Sequence, residues 1–130
     1  METNRDGLEL IIMSNYVSQL SKIISDFSHS VMDSTGKKYN LEVRNFFFGG
    51  AACYVCDKIF LTLTKVGLGI KLSDADLKII FELGGRELKY FEKGYVKKEY
   101  VILPENVISD ASQLFDWIRT SIAFMGKKSA

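Results

Sequence analysis

An α+β domain, its mainly antiparallel sheet covered by helices, is what this 130-residue sequence predicts. Apolar residues recur at steps of three and four near both ends of the chain, the period of an amphipathic helix. Between them lie short β-branched and aromatic runs broken by turn residues. Strands joined by tight turns must be antiparallel neighbours, because parallel neighbours need long crossovers. At 14.7 kDa, with 47% hydrophobic and 25% charged residues, the chain has the size and the apolar content for one packed domain over residues 1–130. The expected order is α, β-meander, α, β-hairpin, α.

The first helix is expected over about 14–32, where Tyr16, Val17, Leu20, Ile23, Ile24, Phe27 and Val31 share one face, and it stops in the polar stretch ending at Gly36. The first strand is expected over 41–48, interrupted by Gly49 and Gly50. Two more follow over 51–55 and 58–64 around a turn at Cys56 and Asp57. A fourth spans 66–72, with Gly67 and Gly69 where the backbone must bend or something must approach it closely. Ser73 is a natural N-cap for a helix running to about Leu83, with Asp74 and Asp76 at its positive end and Leu77, Ile80 and Phe81 on one face. Gly84 and Gly85 supply the left-handed exit. A hairpin is expected over 87–92 and 96–103 with its turn at Lys93 and Gly94, and Pro104 stops it. Asp110 caps the last helix, whose buried stripe is Leu114, Trp117, Ile118, Ser121, Ile122 and Met125.

Composition narrows the compartment and the partners. The polar, mixed-charge residues 1–7 contain no signal core, and no apolar run approaches the roughly 18–20 residues that cross a bilayer. Two cysteines and one histidine are too few for a zinc site of the usual four ligands, and two cysteines too few for a disulfide scaffold, so a reducing cytoplasm is the expected location. Seventeen basic against sixteen acidic residues give no whole-chain field for nucleic acid. Residues 1–36 carry two basic and five acidic groups, which leaves fifteen and eleven for the remainder, a mild polarity and not a basic arm.

Chemistry-bearing motifs are scarce. Cys53 and Cys56 have the spacing of a redox pair, but a thioredoxin-type thiol needs a helix N-terminus to lower its pKa, and these fall on a strand and its turn, aimed at different faces. His29 has no nucleophile or carboxylate partner nearby in sequence and reads as a solvent-facing ring near a helix end. No serine lies in a nucleophile elbow and no glycine-rich loop ends as a phosphate cradle. Asp74, Asp76, Glu87, Glu92 and Glu99 share no spacing that would pair two for acid–base work. The expectation is therefore no enzyme, no metal and no cofactor. One constellation remains: Arg86, Lys89, Lys93, Lys97 and Lys98 set among Tyr90, Phe91, Tyr95 and Tyr100, the basic and aromatic mixture of nucleic-acid surfaces, diluted by Glu87, Glu92 and Glu99.

Phe48-Gly49-Gly50 followed by Tyr54, Lys58-Ile59-Phe60, Ile70-Lys71-Leu72 before the capped helix, Phe91 to Gly94, Tyr100-Val101 with Pro104-Glu105, and Asp110 with Leu114 and Trp117 stand in an order and spacing that resembles the N-terminal domain of TfoX, also called Sxy, a regulator of natural competence. The resemblance covers about residues 40–125, dividing the chain into an N-terminal helical segment (1–38), a family core (39–126) and a basic tail (127–130). It implies a two-layer fold. Phe48, Gly49, Gly50, Tyr54, Lys71, Gly94, Tyr100, Pro104 and Trp117 are its motif residues, and a structural role is expected of them. Ala51, Ala52 and Asp57 depart from the pattern, in which an aromatic and a glycine follow the double glycine and another glycine occupies the next turn. A strand bulge or close approach at Gly49 and Gly50 is thus preferred over a ligand-binding loop.

Full-length TfoX-like regulators usually add a C-terminal helical domain resembling DNA-binding modules and act at promoters with the catabolite activator protein. The resemblance implies a noncatalytic regulatory or adaptor domain, acting by contact with a protein such as the transcription machinery or a DNA-binding regulator. The alternatives are direct nucleic-acid binding through the basic hairpin and the Lys127-Lys128 tail, or a ligand-binding or enzymatic pocket around Gly49, Gly50, Tyr54 or Lys71. The amphipathic first helix and open strand edges also suit a homodimer.

Overall fold

The computed structural model describes residues 15–35, 40–46 and 49–129. Phe48 and the expected stop at Gly36 lie outside them. Helix α1 (Asn15–Thr35) leads into strands β1 (Leu41–Asn45), β2 (Ala51–Val55), β3 (Lys58–Thr64) and β4 (Gly67–Lys71). Helix α2 (Asp74–Glu82), strand β5 (Tyr100–Ile102), a short helix α3 (Glu105–Ile108) and helix α4 (Ala111–Ser129) complete the order. The five strands form one sheet in sequence order, every neighbouring pair antiparallel. This is the α+β architecture that the meander of tight turns required.

One face of the sheet carries the core. Val43, Cys53, Leu61, Ile70 and Val101 lie opposite one another from strand to strand, so their side chains share a face. Leu20, Ile24 and Phe27 of α1, Leu77 and Ile80 of α2, and Leu114, Ile118, Ile122 and Met125 of α4 pack against that face. A bulge in β3, where the register shifts between Cys53 and Tyr54, turns both Phe60 and Leu61 into this core. Ser121, fully buried, donates its hydroxyl to the Lys71 carbonyl at 2.6 Å and so ties α4 to β4.

Local signals account for the turns and caps. Cys56 and Asp57 have φ of 52° and 64°, the two left-handed residues of a two-residue hairpin whose twist matches its strands. Ser73 accepts the Asp76 amide at 3.3 Å, and Asp110 accepts those of Ser112 and Gln113 at 3.1 and 3.3 Å. Gly84, at φ 110°, turns the chain out of α2, and the next amide returns to the Ile80 carbonyl at 2.8 Å. Phe81 departs from expectation: one residue past Ile80 it has rotated off the inner face and is 40% exposed.

The larger departure is the last hairpin. Residues 87–92 are not a strand; only Arg86 pairs with Ile102, in an isolated bridge. Leu88 and Tyr90 alternate with Lys89 and Phe91 as strand residues would, but their apolar surface is buried on the sheet's second face and not along its edge. The chain therefore crosses over the sheet as a loop from 87 to 99 before entering β5. A helix layer and a sheet are thus joined by an irregular roof on the side away from the helices.

Candidate functional site

The second sheet face is built from the residues that alternate with the core: Ala52, Thr62, Gly69 and Ile102 opposite one another, with Glu42, Arg44, Tyr54, Ile59, Lys71 and Tyr100 around them. Gly69 makes a socket. A β-carbon there would stand 2.9 Å from Leu88 Cδ2 and 3.1 Å from Thr62 Oγ1, so the missing side chain is the space that Leu88, fully buried, occupies. Tyr90 donates its hydroxyl to Thr62 Oγ1 at 3.2 Å and meets Phe46 edge-on with centroids 5.5 Å apart. The loop closes on itself where the Lys97 amide reaches the Leu88 carbonyl at 2.9 Å and the Gly94 amide the Phe91 carbonyl at 2.9 Å.

Three of the motif residues converge under this roof. Tyr100 donates its hydroxyl to the Ile59 carbonyl at 3.1 Å, fastening the β5 side of the sheet to the β3 bulge. Burial, with Tyr90, Glu99 and Tyr54 nearby, raises its ionisation above the ordinary phenol range. Lys71 Nζ lies 3.4 Å from Glu99 and 5.6 Å from the Tyr100 ring centroid. Tyr54 carries the Arg44 guanidinium 4.2 Å above its ring, and Arg44 also reaches Glu42 at 2.8 Å and Asp57 at 3.8 Å. The hydrogen bond and charge of Arg44 hold the Glu42 carboxyl below its usual range. These contacts fasten strands and roof together.

The other motif residues are placed one by one. Gly49 turns at φ 78°, and the Gly50 carbonyl accepts the Phe46 amide at 2.8 Å, closing the β1–β2 connection. Gly94 lies in the roof, where a β-carbon would come within 3.3 Å of Phe91. Pro104 ends β5 and starts α3, its carbonyl accepting the amides of Val107 and Ile108 at 3.0 and 3.1 Å. Trp117, half-buried, packs against the core from α4.

The five basic residues are divided. Arg86 and Lys89 line an open groove of about 570 Å³ with Val66, Tyr90, Phe91, Ile102 and the carboxylates Glu87 and Glu92. Lys65, from the β3–β4 turn, joins them, and the Arg86 guanidinium donates to the Val66 carbonyl at 3.4 Å. Lys93, Lys97 and Lys98 stay exposed on the roof beyond it, around Tyr95, which is 94% exposed. Sequence spacing could not bring Lys65 to Arg86, since only the fold closes that distance. Gly49, Gly50, Tyr54 and Lys71 line neither this groove nor a second of about 530 Å³ between Ser73, Asp76 and the end of α4.

The remaining candidates are separate. Cys53 is buried, which pushes its thiol up to about 12, while Cys56 is exposed in the turn. His29 is hydrogen-bonded through Nδ1 to the Ser25 carbonyl at 2.9 Å; because a carbonyl only accepts, that nitrogen carries the proton. Among the described residues no three His, Cys, Asp or Glu side chains gather as a metal would need, and no helix is long and apolar enough to cross a membrane.

The order of motifs and the antiparallel meander meet in one comparison: a family model for the TfoX N-terminal domain matches residues 40–125. The chain belongs to the TfoX N-terminal domain family. That family is one of competence-related regulatory domains, and the match begins one residue before β1 and ends within α4. It thus includes the whole sheet and its roof. No curated protein matches the chain.

Proposed function

We propose that this domain is a noncatalytic, cytoplasmic regulatory adaptor that works by protein contact in the control of transcription or natural competence. Family membership supports the regulatory role. The observation that carries the contact reading is the roof itself. Its inner side is pinned by Leu88 and Tyr90, and its outer side presents Phe91 and Tyr95, 52% and 94% exposed, among Lys93, Lys97 and Lys98. Aromatic side chains on a fixed support are enriched at the centres of interfaces, and the lysines around them suit the polar rim. The partner class is the transcription machinery or a DNA-binding regulator. The test is the transcript level of competence genes in host cells carrying Phe91→Ala with Tyr95→Ala, compared at equal protein level. Loss of induction is expected, and unchanged induction would refute the role of the roof.

The groove favours a second reading, direct nucleic-acid binding, because Lys65, Arg86 and Lys89 surround it beside an exposed aromatic ring. Fluorescence anisotropy of labelled duplex DNA, at low and at physiological salt, separates the two. The adaptor gives no binding at physiological salt. Tight, sequence-selective binding that survives salt, weakened by neutralising Arg86 or Lys89, would replace it.

A further inference from the structure

The outer edge of β1 has a pattern of hydrogen-bonding groups and charges that fits a second copy of itself. The Phe46 amide bonds to the Gly50 carbonyl, and the β1–β2 register pairs Arg44 with Ala52 and Glu42 with Tyr54. In an antiparallel ladder bonded and non-bonded pairs alternate, so Glu42 and Arg44 direct their backbone groups toward β2. Leu41, Val43 and Asn45 then direct theirs outward, and among the described residues no strand takes them up. The opposite edge of the sheet is already occupied, since Arg86 and Ile102 exchange both backbone bonds at 3.1 and 2.8 Å.

We propose that β1 pairs antiparallel with β1 of a second copy about a two-fold axis at Val43, joining the two sheets into one of ten strands. In that register Val43 opposes its own counterpart and Leu41 opposes Asn45 of the other copy, so every outward amide and carbonyl of these three residues finds a partner. Glu42 of each copy then faces Arg44 of the other, in the closely spaced non-bonded pairs where opposite charges stabilise a ladder. A slip of one residue breaks this, because every hydrogen-bonding group would then face a non-bonded position. Cross-strand neighbours point to one face, so the Val43 pair lies on the helix side, where Val43 already packs against the core. The Glu42 and Arg44 pairs lie on the other side, where both residues are exposed. Hydrogen-bond parity allows this register and those displaced by two residues, and charge complementarity selects among them, because the displaced registers set Glu42 against Glu42 or Arg44 against Arg44. The regulatory reading is not needed for it.

Sedimentation velocity of the full chain over a concentration series, with amide hydrogen exchange of the same samples, tests the pairing. A dimer is expected, with the amides of Leu41, Val43 and Asn45 protected more strongly as concentration rises. Val43→Pro removes one outward amide without touching the β2 side of β1, so a folded monomer with unchanged far-UV circular dichroism is expected. Glu42→Arg should raise the dimer dissociation constant about tenfold or more, and adding Arg44→Glu should restore it. A monomer at every concentration, a dimer that persists in folded Val43→Pro, or edge amides protected in a monomer would each overturn the proposal.

Discussion

Leu88 is the residue on which the roof depends, and its seat can be tested from both sides. Leu88→Ala removes a fully buried side chain from the socket over Gly69, and a leucine lost from such a site costs about 3 kcal/mol. Gly69→Ala inserts a methyl where the β-carbon would stand 2.9 Å from Leu88 Cδ2 and 3.1 Å from Thr62 Oγ1, overpacking worth about 1–2 kcal/mol. If the two atoms compete for one space, the changes cannot add. With Leu88 truncated the new methyl meets only Thr62 Oγ1 at 3.1 Å, which must give by a few tenths of an ångström, so the double variant should cost little more than about 3 kcal/mol, roughly 1–2 kcal/mol less than the sum. Urea unfolding followed by fluorescence of Trp117, the one tryptophan, measures all four corners of the cycle. Exchange of the Lys97 amide, which is bonded to the Leu88 carbonyl, reports whether the roof opens before the sheet does. Additivity within about 0.5 kcal/mol would refute the socket and with it the account of why residues 87–92 leave the sheet edge.

Further outcomes follow from other contacts. Tyr100→Phe removes the donor to the Ile59 carbonyl and should cost about 1 kcal/mol in urea unfolding at neutral pH, with no loss reading against the β5-to-β3 fastening. Because burial raises both Tyr100 and Cys53, the folded state holds protons that the unfolded chain releases; stability is full below about pH 9 and declines as pH rises toward 12. The melting temperature of Tyr100→Phe should therefore fall less steeply than that of the parent above about pH 10. Ser121→Ala leaves the Lys71 carbonyl without its 2.6 Å donor and should lower stability by about 1–2 kcal/mol, read from the urea midpoint at constant slope. A chromogenic disulfide reagent should titrate one thiol, Cys56, in the native protein and two in urea; two fast thiols in the native protein would contradict the burial of Cys53. Asp57→Gly relieves a left-handed φ of 64° in the β2–β3 turn and should stabilise the protein by about 0.5–1 kcal/mol, whereas a loss would show Asp57 to be held by its charge to Arg44.

Much of this fold is legible along the chain because its determinants are local. The three-and-four spacing of Leu20, Ile24 and Phe27, and of Leu114, Ile118, Ile122 and Met125, sets which helix face is buried. Ser73 and Asp110 mark helix starts through hydrogen bonds that span three residues or fewer. Cys53 is buried because strand alternation aims it at the core, and Cys56 is exposed because it lies in the turn that follows. The family motifs are legible for the same reason, as short runs in order.

Tertiary structure decides what one segment does when its own pattern allows two outcomes. Residues 87–92 alternate as a strand does, and only the vacancy over Gly69, eighteen positions or more upstream, makes covering the sheet face more favourable than extending its edge. Tyr90 and Thr62 meet across 28 residues, and Tyr100 and Ile59 across 41. Lys65 joins Arg86 and Lys89 at the groove in the same way. The amino-acid order therefore determines helices, turns, caps and the meander, whose energies depend on neighbours in the chain. The roof, the groove and the outer edge of β1 exist only once the sheet has assembled, because each is a relation between segments that the sequence keeps apart.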